Sequence, residues 1–374
     1  MTGFLQRTKH WLARYRRAIA PTTETPDAYW LRPTIQTAFV LFSILLGLEF
    51  RTFLLALEQP QLDFNAVRPP AVDGYLPISS LMSLVYFVKT GVANTVRPAG
   101  LVIFSLILWM TFLLRRGFCS WVCPFGTASE WLHRTGKLLF GKNFNPPWIL
   151  DGLLRSLKYL LFGFFFYYIV KMPTLALHHW IHGSYNRISD AKMFLFFFNL
   201  SATSLVVFGV LGVLSMLIKN FWCRYLCPYG ALLAIVSVAS PASVKRDPSA
   251  CNGCERCSGA CPNRITVHRQ RRVSSPECTA CYRCVQSCSH RRALRFSLFG
   301  SHTTLPAALY GVITVAAFIF AAQTARALGY WRPDTPLPMY KALYMQIHHI
   351  EHPRVSPHSP GQAMENPNDT VSVD

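Results

Sequence analysis

Every one of the twelve cysteines in this chain falls in a spaced motif. Residues 251–262 read CNGCERCSGACP and residues 278–289 read CTACYRCVQSCS. Each is C-x2-C-x2-C-x3-C, a spacing in which three thiolates wrap one 4Fe–4S cube and the fourth is sent to the neighbouring cube. By that rule Cys251, Cys254, Cys257 and Cys288 hold one cluster, and Cys278, Cys281, Cys284 and Cys261 hold the other. Pro262 follows the last cysteine of the first copy, whereas Ser289 stands at that place in the second. The change thins the shielding of one cluster and removes no ligand. Eight cysteines in this tandem order would make an odd zinc protein, and disulfides do not persist on the reducing side of a membrane.

The other four cysteines form an internal repeat. FCSWVCPFGT (118–127) and WCRYLCPYGA (222–231) share the pattern aromatic-C-x3-C-P-aromatic-G, 104 residues apart. On one helix, C-x3-C puts both sulfurs on the same face, and the proline is expected to stop or bend the chain just after the second. If the two copies meet, Cys119, Cys123, Cys223 and Cys227 pool around a further iron–sulfur centre. A dithiol relay and reduced cysteines that merely pack are the competing readings.

The elements that must position these groups are membrane helices. Only 14% of the 374 residues are charged and 51% are hydrophobic, a balance that points to several membrane spans. Apolar runs of the length a helix needs to cross a bilayer occupy 34–57, 98–114, 152–171, 193–217 and 303–323. The shorter stretch 77–90 is expected to lie at the interface or to re-enter. Arg155 and Lys158 sit near the start of the third run, close enough to its end to snorkel.

With the N-terminus inside, segments 1–33, 115–158 and 218–302 hold 26 Lys+Arg against 7 acids, and the rest of the chain holds 11 against 10. Nearly all of the +20 net charge is then on one face, as the positive-inside rule requires. Anionic lipid, rather than nucleic acid, is its natural neighbour. Residues 1–31 are polar and basic, without the apolar core of a cleavable signal, and Arg16–Arg17 lacks the surroundings of a twin-arginine signal.

The fold expected is therefore a membrane all-α protein of about five helices in two half-unit repeats, with an inserted cytoplasmic α+β two-cluster ferredoxin domain. Its divisions are a basic segment 1–33, a four-helix membrane domain 34–240, the ferredoxin domain 241–302, a fifth span 303–323 and an outer tail 324–374. Residues 353–374 are expected to be disordered from their composition, and 141–148 (GKNFNPPW) reads as a turn-rich link between half-units.

The paired C-x3-C-P segments followed by a two-cluster ferredoxin resemble the membrane-bound polyferredoxins of the NapH and NosR type, over about 34–323. The resemblance implies a bacterial inner-membrane electron carrier between the quinone pool and partner redox proteins, with some members acting in the upkeep of a periplasmic enzyme. The NosR type carries a large periplasmic flavin domain ahead of its spans, and nothing in 1–33 matches it. The CcoG type, linked to copper reduction during oxidase assembly, is built of similar parts.

Two groups of histidines face outside on this topology: His178 and His182 in LHHWIHG, and His348, His349 and His352 in QIHHIEHP. Together they are candidates for an outer-face metal or haem, against the plainer reading of an interfacial anchor and a flexible tail. Arg256, Arg264, Arg269, Arg271, Arg272, Arg283, Arg291 and Arg292 surround the cluster motifs and either raise the cluster potentials or contact lipid. No Walker loop, G-x-G-x-x-G, H-E-x-x-H or Ser–His–Asp pattern is present, so the chemistry belongs to cofactors.

The function expected is electron transfer from quinol or a cytoplasmic donor to a partner redox protein, possessing at most the character of a quinol dehydrogenase subunit. Cysteines at the inner edge supply no redox group at the bilayer midplane, so a flavin- or haem-containing partner subunit is expected. The alternative is a maturation factor that reduces a metal such as copper for a periplasmic or membrane oxidoreductase.

Overall fold

The computed structural model describes residues 26–60, 67–141, 143–290, 293–299 and 303–353. The basic segment before residue 26, Arg291, Arg292 and the tail beyond 353 lie outside them. In chain order the helices are α1 (Pro26–Glu58), α2 (Pro77–Thr90), α3 (Pro98–Leu114), α4 (Gly117–Trp121), α5 (Pro124–Phe140) and α6 (Trp148–Lys171). Then come α7 (Thr174–His182), α8 (Ser184–Arg187), α9 (Ser189–Phe198), α10 (Ala202–Leu217) and α11 (Pro228–Val238). The insert holds β1 (Ser243–Arg246), α12 (Arg256–Gly259), α13 (Arg283–Gln286) and β2 (Leu294–Ser297), and α14 (Ala307–Ala327) and α15 (Leu337–Met345) follow.

Among the described residues, α6, α14 and the Trp30–Glu58 part of α1 are long and apolar enough to cross a membrane. The chain is thus mostly helical and membrane-associated. The run at 98–114 is a helix of 17 residues, about 25 Å long and at the short limit for a span. The run at 193–217 is not one helix. It breaks into α9 and α10, bent by 80°, because Ser201 Oγ accepts from Ser204 N (3.2 Å) and so caps the start of α10. Hydropathy averaged across Asn199–Ser201 hides that break.

The chain divides into two compact units: 1–40, 110–159 and 208–314 form the first, and 41–109, 160–207 and 315–374 the second. In the first, β1 and β2 pair antiparallel from Ser243↔Ser297 to Arg246↔Leu294, closing the two ends of the insert on each other. Phe144 in the 141–148 link accepts no helix; its N–H donates to Leu217 O at 2.8 Å instead.

The second unit has its core among Phe50, Phe53, Leu57, Ile188, Tyr340 and Leu343. The stretch 77–90 forms α2, whose buried face is Ser79, Ser80, Leu81, Met82, Ser83 and Tyr86. Residues 324–353 are more ordered than a flexible outer tail, since α15 and Ile347 and Ile350 after it belong to that core.

Candidate iron–sulfur site

All twelve cysteines lie in the first unit, and none is disulfide-bonded. The insert repeats its own geometry. Glu255 (φ 58°) and Tyr282 (φ 59°) are left-handed residues that each open a four-residue helix, α12 and α13, carrying Cys257 and Cys284. Cys251, Cys254, Cys257 and Cys288 line one cavity. Cys261, Cys278, Cys281 and Cys284 line a second. Each cavity therefore takes three cysteines from one half of the insert and one from the other.

Burial favours the protonated form of the bare thiols of Cys257, Cys261, Cys278 and Cys284. Burial, with neighbouring Cys281 next, pushes Cys261 up to about 12. Cys284 is raised well above the usual thiol range by burial and then by Cys281, Cys278 and Cys261. Cys251, at the open end, is lowered by the Gly253 N–H and by Arg246. Iron that takes the place of the protons relieves this crowding, and a set of four sulfurs is what a cluster requires. Among the described residues no three or more His, Cys, Asp or Glu side chains are placed to hold a single metal ion.

The C-x3-C-P segments differ from the helical face drawn from their spacing. Cys119 lies in the short α4, and Cys123 stands outside it as the N-cap of α5. Cys223 lies in a π-turn (Trp222–Leu226), and Cys227 is the N-cap of α11. The proline after each pair starts a helix rather than stopping one, since its missing N–H costs nothing at the first position. In the second copy the glycine two residues after that proline donates its N–H to the capping sulfur, with Gly230 N 3.2 Å from Cys227 Sγ, whereas Cys123 makes no side-chain cap bond. At Cys227 the C-P-aromatic-G motif is thus an N-cap in which sulfur replaces the usual oxygen.

The four sulfurs are also mutual neighbours. Cys123 is pushed up to about 12 by burial and then by Cys119 and Cys227. Burial, then Cys227, Cys123 and Cys119, raises Cys223 well above the usual range. The Arg116 guanidinium lies close enough to Cys119 for the two to interact electrostatically. The structure therefore brings the two copies together.

These segments are bonded to the insert beside its cysteines. Ser120 Oγ donates to Thr279 O (2.6 Å) and Trp121 Nε1 to Ala280 O (3.1 Å). Arg115 Nη2 reaches Ser275 O at 2.6 Å and Arg116 Nη1 reaches Pro276 O at 2.9 Å. In the second copy Arg224 Nη1 lies 3.5 Å from Pro262 O. Ser120 and Arg224 each follow the first cysteine of their motif, and each bonds the carbonyl just after a ferredoxin cysteine.

Three buried acids, which sequence reading passed over, tie this together. Glu277 accepts from Lys158 Nζ (2.7 Å) and Tyr159 (3.0 Å) and lies 3.4 Å from Arg116. Asp151 accepts from Arg224 (2.7 Å), Arg155 (2.6 Å) and Tyr225, and Glu130 accepts from Arg32, Arg134 and Arg283. Burial alone would raise the Glu130 carboxyl, yet Arg32, Arg283 and Arg134 hold it well below the usual carboxylate range. Lys158 is fully buried and does not snorkel, while Arg115 and Arg116 are buried rather than exposed loop charges. A polar residue one step before Cys278 was the available signal for Glu277; its partners, 119 and 161 residues away, gave none.

Comparison with known proteins bears directly on these segments. A family model described as a 4Fe-4S binding domain matches residues 96–147 and 200–246, which hold the two C-x3-C-P segments. A 4Fe-4S dicluster domain matches 243–289. YccM of Escherichia coli (strain K12), provisionally named an electron transport protein, is 35% identical over 337 residues, covering 89% of this chain and 94% of its own. The ferredoxin-type protein NapH of the same organism is 27% identical over 56% of this chain and 71% of its own. The regulatory protein NosR of Pseudomonas aeruginosa is 29% identical over 48% of this chain and 24% of its own. The chain belongs to the polyferredoxins of the NapH/NosR type. It is an iron–sulfur electron-transport protein that binds 4Fe–4S clusters. No solved structure matches it.

The histidines expected at the outer face of this polyferredoxin do not converge. The His178 and His182 rings lie 4.1 Å apart, with His178 Nδ1 at 3.0 Å from Tyr86 Oη and His182 Nδ1 at 3.0 Å from His178 O. His352 packs instead on Tyr185. His348 and His349 are exposed, and among the described residues none of the five joins a group of three ligands for one metal ion.

Proposed function

We propose that this polyferredoxin spans the inner membrane five times and passes electrons between the quinone pool, or a cytoplasmic donor, and a partner redox protein serving a periplasmic reductase. The observation that carries the reading is the gathering of the cysteines in one unit. Eight line two cavities with crossed ligands, and four meet at two helix starts hydrogen-bonded to the loop that carries Cys278. When bound, 4Fe–4S clusters take up and release one electron at a time.

The protein's own part is positioning and charge. Cys251, Cys254, Cys257 and Cys288 hold one cluster, Cys278, Cys281, Cys284 and Cys261 the other, and Cys119, Cys123, Cys223 and Cys227 a third iron–sulfur centre. Arg115, Arg116 and Arg224 fix the insert by its backbone carbonyls, and their positive charge favours the reduced state of an anionic centre nearby. The excess of Lys+Arg in 1–33, 115–158 and 218–302 supports a cytoplasmic insert, 241–302, and an outer tail. The five apolar runs coincide with α1, α3, α6, α9–α10 and α14, which supports five crossings. A flavin- or haem-containing partner supplies the step to the outer face.

Iron and acid-labile sulfide per chain, measured on anaerobically purified protein, test the cofactor count. About twelve irons that fall by four in the double variant Cys123→Ser/Cys227→Ser are expected. About eight, unchanged in that variant, would leave two clusters and no third centre. Electron paramagnetic resonance signals that appear with quinol support the quinone link, and clusters reduced by dithionite alone would refute it.

A further inference from the structure

A cavity of about 760 Å3 in the second unit is lined by five arginines, Arg68, Arg97, Arg187, Arg326 and Arg332, and by no described acidic side chain. They come from four separate stretches of chain. Phe53, Trp331 and Tyr340 give the same cavity an aromatic wall. Its size is that of a small-ligand site, where pockets run from about 300 to 1,000 Å3.

The acids behind this wall do not balance it. Arg97 pairs with Asp73 at 2.6 Å and with Asp190 at 3.0 Å. Arg68 pairs with Asp190 at 2.5 Å and with Asp73. Arg187 lies 3.6 Å from Asp334, an exposed carboxylate already bonded by Thr95. Arg326 stacks over Trp331 at 5.5 Å, which leaves its charge in place, and Arg332 is exposed. Five guanidiniums meet three carboxylates, an excess of two positive charges.

Arg68 points to what the excess is for. Its side chain is 8% exposed, with Nε and Nη2 engaged by Asp190 and Asp73. Its Nη1 is buried without a hydrogen-bond partner, alone among the cavity-lining residues described. Asp73 Oδ2 is likewise unpaired, but Asp73 does not line the cavity. Buried polar groups in native proteins are rarely left so. That unsatisfied donor sits in a wall that carries excess positive charge, an environment that favours an anionic ligand.

We propose that this cavity binds a phosphate group, belonging either to the headgroup of an anionic phospholipid or to free phosphate. Guanidinium forks donate paired N–H groups to phosphate oxygens, one or two negative charges match the excess, and the aromatic wall accommodates what the phosphate is attached to. The site shares no residue with the cysteine centres, and its test reads binding, not electron transfer.

The full chain, purified in neutral detergent and stripped of lipid, is titrated calorimetrically with inorganic phosphate and separately with a water-soluble short-chain phosphatidylglycerol. One equivalent of saturable binding is expected for at least one probe. Arg326→Gln/Arg332→Gln should weaken it by about tenfold or more, with iron per chain unchanged. Because both positions are exposed, this variant keeps the test decisive even if Arg68→Gln does not fold. Binding of phosphate alone or of the lipid alone assigns the source. No saturable binding of either, or binding that the double variant leaves untouched, overturns the proposal.

Discussion

Both units gather arginine in local excess, around the acids beside the cysteines in the first and around one cavity in the second, and so set it against different neighbours. In the first, guanidiniums crowd Glu130, Asp151 and Glu277, and those left over reach backbone carbonyls beside cysteine cavities. Thiolates that hold iron bring negative charge to that place, so the anion served by the excess is evident. In the second unit the excess faces a cavity without a cysteine, and one buried N–H there remains unanswered. The lesson of the comparison is that arginine gathered around a cavity without enough acid to balance it marks an anion. Where the chain itself does not supply the anion, a ligand must.

The largest effect separating these uses is expected at Glu277. Glu277→Ala leaves Lys158 and Arg116 buried without their carboxylate. Breaking such a pair from one side costs about 3–5 kcal/mol, which chemical denaturation would register together with early loss of iron. Glu277→Gln, which keeps hydrogen bonds but not charge, should fall between. If Glu277→Ala melted like the parent, the docking role drawn for the buried acids would be wrong.

A smaller effect distinguishes the two cysteine repeats from each other. A Cβ on Gly126 would run into the Cys119 carbonyl oxygen, so backbone must move. On Gly230 it would meet Arg116 Nη2 at 3.3 Å and Cys227 Sγ at 3.5 Å, which a side chain can yield to. Gly126→Ala should therefore destabilise by about 1–3 kcal/mol, as overpacked sites do, and disturb any centre at Cys119 and Cys123. Gly230→Ala should cost less than about 1 kcal/mol. Equal losses in thermal unfolding would mean that the backbone at Cys119 yields as readily as the side chains around Gly230.

The motifs were legible because their chemistry is local. The grouping of eight cysteines around two cavities and the family follow from spacing within twelve-residue windows, and α3 and α14 follow from apolar runs. What was not legible depended on distance or on averaging. Lys158 reads as a snorkelling lysine until Glu277, 119 residues on, is placed beside it. The proline of C-P reads as a stop until Cys227 is seen capping the next helix. The break in 193–217 rests on one serine hydroxyl inside an apolar average. The arginine cavity was hidden most completely: its five arginines come from four stretches of chain that only folding brings together.

The smallest effect is the most direct reading of the field in the first unit. His133 is buried beside Glu130, 3.1 Å from Asn220 Oδ1, and burial, then the charge of Arg283, brings it down to about 4. An unfolded chain protonates the same imidazole near 6.5. Below that value the unfolded state binds the proton and the folded state refuses it, so stability falls as pH drops, until the loss is complete below about 4. From pH 7.5 to 5.5 the cost is about 1 kcal/mol. His133→Gln should flatten the decline in melting temperature over that interval. Arg283→Gln should soften it by removing one of the charges that exclude the proton. A decline unchanged in both variants would show that the arginines around Glu130 are neutralised by that carboxylate alone, and the excess of positive charge assigned to the first unit would then have to be smaller than the residues imply.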